Sequence, residues 1–325
     1  MSRLGRILER LERVLGLGEE LLRELTGCAL YAAAFERHTA FRWDSARGPG
    51  RLVLVDSPSL FDLDDLVGVD RPLERLLRNT EQFLRGLPAN HVLLYGERGT
   101  GKSSAVRGLL ERYAARGLRL VEVHRADLAD LPRVLGGLRN GASHRFLIFC
   151  DDLSFGQNEA GYRELKAALE GGIEAPPENV RIVATSNRRH LLPETMAENR
   201  AARIDEEGEL HLGEALEEKL ALSDRFGLVI GFYGFDQATY LRIVERYLKR
   251  AGLGIAIEDV RADALRWALD RDSRSGRIAR HFVDDLAGRR ALDRLPPPEG
   301  GVRSPGSKAP ERRRTPRTSS EGQRS

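Results

Sequence analysis

One glycine-rich run constrains the fold of this chain more than any other feature. Residues 96–103 read Gly-Glu-Arg-Gly-Thr-Gly-Lys-Ser and match the phosphate-loop pattern G-x-x-x-x-G-K-[ST] at every fixed position. The apolar run from His91 to Tyr95 predicts a buried strand before the loop, and apolar residues recur at helical spacing after it. A strand, a glycine loop and a helix in this order predict an α/β nucleotide-binding fold.

The residue types of this loop suit the binding of phosphate groups. Its three glycines let the backbone approach a ligand closely, and the loop amides can then form an anion-binding concavity. Lys102 would place an ammonium on the outer phosphates, and the Ser103 hydroxyl would ligate Mg²⁺. We therefore predict that the nucleotide contacts the loop and the residue after it, namely Gly96, Glu97, Arg98, Gly99, Thr100, Gly101, Lys102, Ser103 and Ser104.

The composition predicts a soluble globular body with a separate basic tail. No apolar run approaches the ~20 residues that a membrane helix needs. The chain has two cysteines, Cys28 and Cys150, and its N-terminus lacks a signal-peptide pattern, so we expect a cytoplasmic protein. The net charge of +3 is unevenly spread, because residues 289–325 carry a net charge of +6 and the remainder a net charge of −3. The folded body therefore does not predict a strongly basic nucleic-acid surface.

Strands and helices alternate through the centre of the chain, which predicts a parallel sheet covered by helices on both faces. We predict strands at 51–55, 118–123, 146–150 and 180–184, helices at 72–85, 130–138, 162–169 and 216–225, and a further apolar run at 229–232. Three helical patterns follow at 236–249, 261–270 and 277–286. The chain thus divides into a helical N-terminal extension (1–65, with helical patterns at 2–26 and 28–37), an α/β nucleotide-binding domain (66–234), a small all-helical region (235–294) and a disordered basic tail (295–325).

Polar residues follow two of the predicted strands. Asp151 and Asp152 end the apolar run 146–150, and Asn187 follows the run 180–184. Ligands bind at the carboxyl ends of strands in open α/β sheets, so Asp151 is a candidate to help hold Mg²⁺ and Asp152 to orient and deprotonate a water. Asn187 could bind the terminal phosphate or that water. In the alternative interpretation, the two acids cap the strand end and Asn187 forms a turn.

Three arginines are candidates for contact with phosphate charge. Arg225 lies near the end of a predicted helix, and Arg277 and Arg280 lie about one helical turn apart near the start of another. A guanidinium offers several donors in a fixed fork and suits phosphoryl oxygens. An ordinary surface salt bridge is the alternative for Arg225, and one of Arg277 and Arg280 could simply face solvent.

The order of these motifs resembles that of AAA+ ATPases and, within them, of the uncharacterised bacterial DUF815 group. The resemblance runs from about Val67 to Gly288 and depends most on four runs, 90–96 (NHVLLYG), 150–155 (CDDLSF), 185–190 (TSNRRH) and 222–227 (LSDRFG). It implies an AAA+ parallel sheet flanked by helices, with residues 235–294 as a lid over ATP and Mg²⁺. It also implies a homo-oligomer that acts on a protein client.

The resemblance also implies a role for each candidate residue. Val67 and Gly68 would lie against the adenine, and Lys102 and Ser103 would be the Walker A lysine and magnesium ligand. Asp151 would be the Walker B aspartate, Asn187 sensor 1, Arg225 an arginine finger acting on a neighbouring subunit, and Arg277 sensor 2, with Arg280 as the fallback.

One position departs from the AAA+ pattern. Asp152 stands where most members have a glutamate, and its side chain is one methylene shorter. Because a misplacement of about 1 Å can cost roughly 10²-fold in rate, the departure favours slow hydrolysis or an ATP-gated binding module. Nucleic acid is a third candidate partner, because a basic tail can bind phosphate backbones without sequence preference.

Overall fold

A computed structural model describes most of the chain between residues 33 and 294. The described residues are 33–139 except 47 and 49, 141, 143–155, 160–171, 176–187, 203–204, 210–211 and 222–294. The predicted helix at 2–26, the first part of that at 28–37, most of that at 216–225 and the basic tail at 295–325 lie outside them.

The central element is a seven-stranded sheet. Its strands are β1 (Ala40–Asp44), β2 (Arg51–Leu54), β3 (Val92–Gly96), β4 (Leu118–Glu122), β5 (Arg145–Cys150), β6 (Val180–Ser186) and β9 (Leu228–Phe232), in the order β2-β1-β4-β5-β6-β3-β9. Every neighbouring pair is parallel except β1 with β2, which is antiparallel. A separate two-stranded antiparallel ladder pairs β7 (Arg203–Ile204) with β8 (Leu210–His211). The mostly parallel sheet confirms the predicted fold class.

Helices cover both faces of the sheet. One face packs against α1 (Asp70–Leu84) and α2 (Lys102–Tyr113), and the other against α3 (Leu131–Arg139) and α4 (Ala160–Glu170). The central strands are buried on both sides, as continuous apolar runs such as Phe146–Cys150 require. This arrangement brings the carboxyl ends of β3, β5 and β6 to one edge of the sheet.

Three further helices form a hydrophobic core of their own, separate from the cores on the two faces of the sheet. They are α5 (Gln237–Arg250), α6 (Ile257–Leu269) and α7 (Gly276–Arg294), and Tyr240, Val244 and Phe282 are fully buried among them. The side chain of Asp236 caps α5 by accepting a hydrogen bond from the Thr239 amide, as its position at the helix start favours. The predicted helices at 261–270 and 277–286 are both longer in the structure.

Two features differ from the sequence-based description. The strand β1 was not predicted, although it connects β2 to β4 through parallel pairing of Ala40–Arg42 with Leu120–Glu122. Residues 56–65, for which the sequence analysis gave no strand or helix after the strand at 51–55, contain a short 3₁₀ helix at Leu63–Asp65, which begins after the capping side chain of Asp62. None of the described helices is long and apolar enough to cross a membrane.

Candidate nucleotide-binding site

The phosphate loop joins β3 to α2, and its glycines fit positions that other residues could not occupy. Gly96 has a φ of +134°, and a Cβ atom there would overlap the carbonyl oxygen of Phe232 on β9. Gly99 has a φ of +76°, and its added Cβ would lie 2.7 Å from the Ser275 hydroxyl. The loop is therefore held between the adjacent strand and the segment before α7. Inside it, the Thr100 hydroxyl donates to the carbonyl of Glu97 at 2.8 Å.

A cleft of about 790 Å³ opens beside this loop. Its walls include residues 98–104, Val67, Asp151, Asp152, Asn187, Arg277 and Arg280. Most of the predicted site residues therefore line one cavity. Gly68, Gly96 and Glu97 do not line it but lie within two positions in sequence of residues that do, and Arg225 lies elsewhere. The volume lies within the range of pockets that bind small-molecule cofactors.

Lys102 is buried at the base of the cleft. Its ammonium donates to the carbonyls of Gly96 at 2.8 Å and Glu97 at 2.7 Å, and to the Asn187 side-chain oxygen at 3.3 Å. Burial lowers the pKa of Lys102, and the nearby charges of Asp152 and Asp151 oppose this shift. The lysine is thus a desolvated cation held by weak neutral acceptors, and an anion entering the loop would be a stronger partner.

A hydroxyl–carboxylate cluster lies next to Lys102. The Ser103 hydroxyl donates to Asp151 Oδ1 at 2.7 Å, and the Thr185 hydroxyl donates to the same oxygen at 2.5 Å. The two side chains that the sequence predicted as Mg²⁺ ligands are therefore in direct contact with each other. The sequence analysis missed Thr185, although its place in the run before Asn187 was a signal.

Asp152 is the next residue and has an unusual backbone. Its φ is +51°, a value that few non-glycine residues adopt, and its amide donates to the Thr185 hydroxyl at 2.8 Å. The Asn187 amide donates to Asp152 Oδ1 at 2.5 Å. Since Asn187 also accepts from Lys102, one hydrogen-bond chain joins the loop, β6 and the carboxyl end of β5.

The helical region closes the cleft from the opposite side. The amide of Gly276 at the start of α7 donates to the Gly99 carbonyl at 2.9 Å, so α7 begins directly on the phosphate loop. Arg277 follows and contributes to lowering the Lys102 pKa by its charge. Arg280 lies one turn further along α7 and forms an ion pair with Asp284 at 3.6 Å. Both side chains of this pair are largely exposed. Of the two arginines, Arg277 is therefore the one next to the phosphate loop.

The segment before α1 forms another wall of the cleft. Residues 59–66, here termed the strap, lie along α2, where Leu66 faces Gly101, Leu63 faces Gly108 and Asp64 pairs with Arg112 at 3.0 Å. Val67 lines the cleft directly after the strap, and Gly68 packs against Thr239 and Phe235 at the start of the helical region. These are the surroundings in which the resemblance places adenine.

A buried carboxylate joins the strap to the helical region. Asp65 is 6% exposed and pairs with Arg246 at 2.7 Å and with Arg250, both on α5. The sequence analysis assigned no role to these residues, because they are more than 180 positions apart and no local pattern connects them.

Arg225 lies outside the cleft. Its Nε donates to the Glu170 carboxylate at the end of α4, and the side chain is 21% exposed. It therefore does not face the nucleotide cleft of its own chain. No group of three or more His, Cys, Asp or Glu residues that could hold a metal occurs among the described residues.

Comparison with known proteins gives one strong match. The family model described as "Protein of unknown function (DUF815)" matches residues 36–290. No curated protein matches the chain. The solved structures that resemble it include the Thermotoga maritima RuvB Holliday junction branch migration motor (19% identity, TM-score 0.48) and a substituted form of that RuvB (20%, 0.49), each match spanning 71% of this chain and 66% of the RuvB chain. The Aeropyrum pernix Orc1 protein in complex with DNA is similar at 18% identity and a TM-score of 0.47, over 71% of this chain and 62% of Orc1.

The chain spans slightly less than two thirds of the RuvB structures that it resembles. Its own strand order, phosphate loop and helical region over the cleft define its fold as the P-loop fold of the AAA+ type. Within that class, the match over residues 36–290 shows that the chain belongs to the DUF815 family.

Proposed function

We propose that this protein binds ATP with Mg²⁺ in the cleft and hydrolyses it to drive a conformational or assembly change in a protein client. The observation that carries the proposal is the convergence of Lys102, the Ser103–Asp151 pair and the Asp152–Asn187 pair on one phosphate loop. Each supplies a group that phosphoryl transfer uses: a cation, ligands for a metal, and a carboxylate with an orienting amide.

The described residues fit this ligand. Gly96 and Gly99 leave no room for a Cβ atom, as expected where backbone amides must face a ligand. Lys102 makes hydrogen bonds to neutral oxygens alone, and Ser103 and Asp151 offer the hard oxygen donors that Mg²⁺ prefers. When bound, Mg²⁺ supplies charge neutralisation on the phosphate oxygens.

The proposed mechanism assigns a task to each protein group. Lys102 turns from the loop carbonyls to the outer phosphates, and Asp152 accepts a proton from the attacking water while Asn187 orients it. Arg277, at the start of α7, contacts the phosphates and so links the bound nucleotide to the helical region. Arg225 acts on the nucleotide of a neighbouring subunit, which its position outside its own cleft permits.

Turnover and nucleotide binding of the purified protein test this proposal. Asp152→Asn should lower the hydrolysis rate by about a hundredfold or more, because the amide cannot take the proton, while ATP binding persists. Lys102→Met should abolish both. Asp263→Asn, on the exposed face of α6, is the control and should match the wild type. If the wild type hydrolyses ATP and Asp152→Asn hydrolyses it at the same rate, Asp152 is not the base.

The hydrogen bond between Asp152 and Asn187 favours a second candidate, an ATP-gated binding module. The Asp152 carboxylate is one methylene shorter than the usual glutamate, and one of its oxygens already accepts a hydrogen bond from the Asn187 amide at 2.5 Å, which limits its reach to a water. In this case ATP binding alone would control assembly with the client. ATP-dependent client capture by the wild type, with hydrolysis already at background, would select this alternative.

A further inference from the structure

Arg107 is a cationic residue of the cleft that the proposed mechanism does not use. It lies on α2 and lines the cleft, and its Nε is buried without a hydrogen-bond partner among the residues that the structure describes. A buried N–H without a partner is unfavourable, so the position of Arg107 in the cleft makes it a candidate to contact a bound molecule.

The acids around Arg107 are already engaged by other residues. The aspartates that line the cleft pair as follows: Asp65 with Arg246 and Arg250, Asp151 with Ser103 and Thr185, Asp152 with Asn187, and Asp284 with Arg280. None of the described carboxylates of the cleft pairs with Arg107, so no ion pair with them competes with a bound molecule for its guanidinium.

The position of Arg107 on the helix indicates which part of the nucleotide it meets. Arg107 follows Ser103 by four residues and Ser104 by three, so it lies on the same face of α2, one turn beyond the phosphate loop. Helical side chains lean towards the N-terminus, which directs the guanidinium back over that first turn. The strap, packed on Gly108 and Arg112, bounds the same space.

We propose that Arg107 binds the ribose hydroxyls of the nucleotide and makes the site selective for ribonucleotides. The proposal deepens the proposed function, on which it rests. The phosphates are held by the loop amides, Lys102 and Arg277, and the base lies towards Val67, so the sugar occupies the space between them. A guanidinium presents neighbouring N–H donors in a fixed fork, which matches the two adjacent oxygens of a 2′,3′-diol.

Equilibrium binding of three ligands to the wild type and to Arg107→Met tests the proposal. The ligands are ATP, 2′,3′-dideoxy-ATP and inorganic tripolyphosphate, each with Mg²⁺. The wild type should bind ATP at least about tenfold more tightly than the dideoxy form, because hydrogen bonds to a charged donor contribute roughly that much. In Arg107→Met this preference should vanish, with tripolyphosphate affinity unchanged.

The tripolyphosphate measurement also shows that the phosphate loop of the variant is folded. The control is Arg163→Met, an exposed arginine of α4 that does not line the cleft, and it should keep all three wild-type affinities. Equal losses for ATP, dideoxy-ATP and tripolyphosphate in Arg107→Met would place Arg107 on the phosphates and overturn the proposal, as would an unchanged preference for ATP. A wild type that binds neither ATP nor tripolyphosphate would instead overturn the nucleotide site itself.

Discussion

At the residue scale, Gly96 shows how tightly the loop is fixed. Its φ of +134° and its contact with the Phe232 backbone both exclude a side chain. We predict that Gly96→Ala lowers the free energy of unfolding by about 3 kcal/mol or more, because strain and overpacking add at this position. Chemical denaturation measures this loss, and ATP affinity should fall with it.

Gly136 provides the matched control for that substitution. It is an exposed glycine inside α3, and a Cβ atom there would meet nothing within 4 Å. Gly136→Ala should therefore raise the unfolding free energy by roughly 0.5–1 kcal/mol through helix propensity. Equal effects of the two substitutions would contradict the special role of Gly96.

At the element scale, the strap and α5 are joined by the buried Asp65 carboxylate. Asp65→Asn removes a charge that Arg246 and Arg250 share. Both arginines are about half exposed and can be solvated by water once the pair is lost. We therefore expect the free energy of unfolding to fall by on the order of 1–2 kcal/mol. Hydrogen exchange in α5 should become faster, because α5 loses a contact with the nucleotide-binding body.

Asp64→Asn is the control, since Asp64 lies beside Asp65 on the same 3₁₀ helix. Asp64 pairs with Arg112, and both side chains of that pair are exposed. It should change stability by less than about 0.5 kcal/mol. If Asp64→Asn accelerates exchange in α5 as much as Asp65→Asn does, the ion pairs of Asp65 do not attach the helix.

The strands β3 and β1 show how far the sequence could predict the fold. The strand, loop and helix around residues 91–113 were predictable because the glycine spacing and the hydrophobic period are both local. The strand β1 was not, because it is only five residues long and its place is decided by pairing with β4, whose paired residues lie eighty positions away. Such pairing depends on tertiary contacts that a single sequence does not encode locally.

The site shows the same division between local and distant information. The places of Lys102, Asp151 and Asn187 followed from strand ends, since parallel strands deliver their carboxyl ends to one edge. The Thr185 bridge to Asp151 and the open donor of Arg107 depend instead on side-chain directions and on which acids are already paired. Those facts become visible only when the whole cleft is assembled.

At the scale of the whole molecule, the proposed function assigns Arg225 to assembly. Arg225 contacts Glu170 of its own chain and lies outside its own cleft, and in the proposed mechanism it completes the site of a second copy. Turnover should therefore rise with protein concentration more steeply than in simple proportion. We predict that Arg225→Ala alone and Lys102→Met alone each lose about a thousandfold in turnover.

Mixing these two inactive variants separates action between subunits from action within one. The Arg225→Ala subunit keeps an intact phosphate loop, and the Lys102→Met subunit keeps an intact arginine, so an interface between them can contain one complete site. Random association in an equal mixture leaves about a quarter of the sites complete, and activity should recover towards that fraction of the wild type. If subunits exchange but the mixture stays as inactive as its components, then Arg225 serves its own chain. The ion pair with Glu170 would in that case be its structural role, and Glu170→Gln should destabilise the fold as much as Arg225→Ala does.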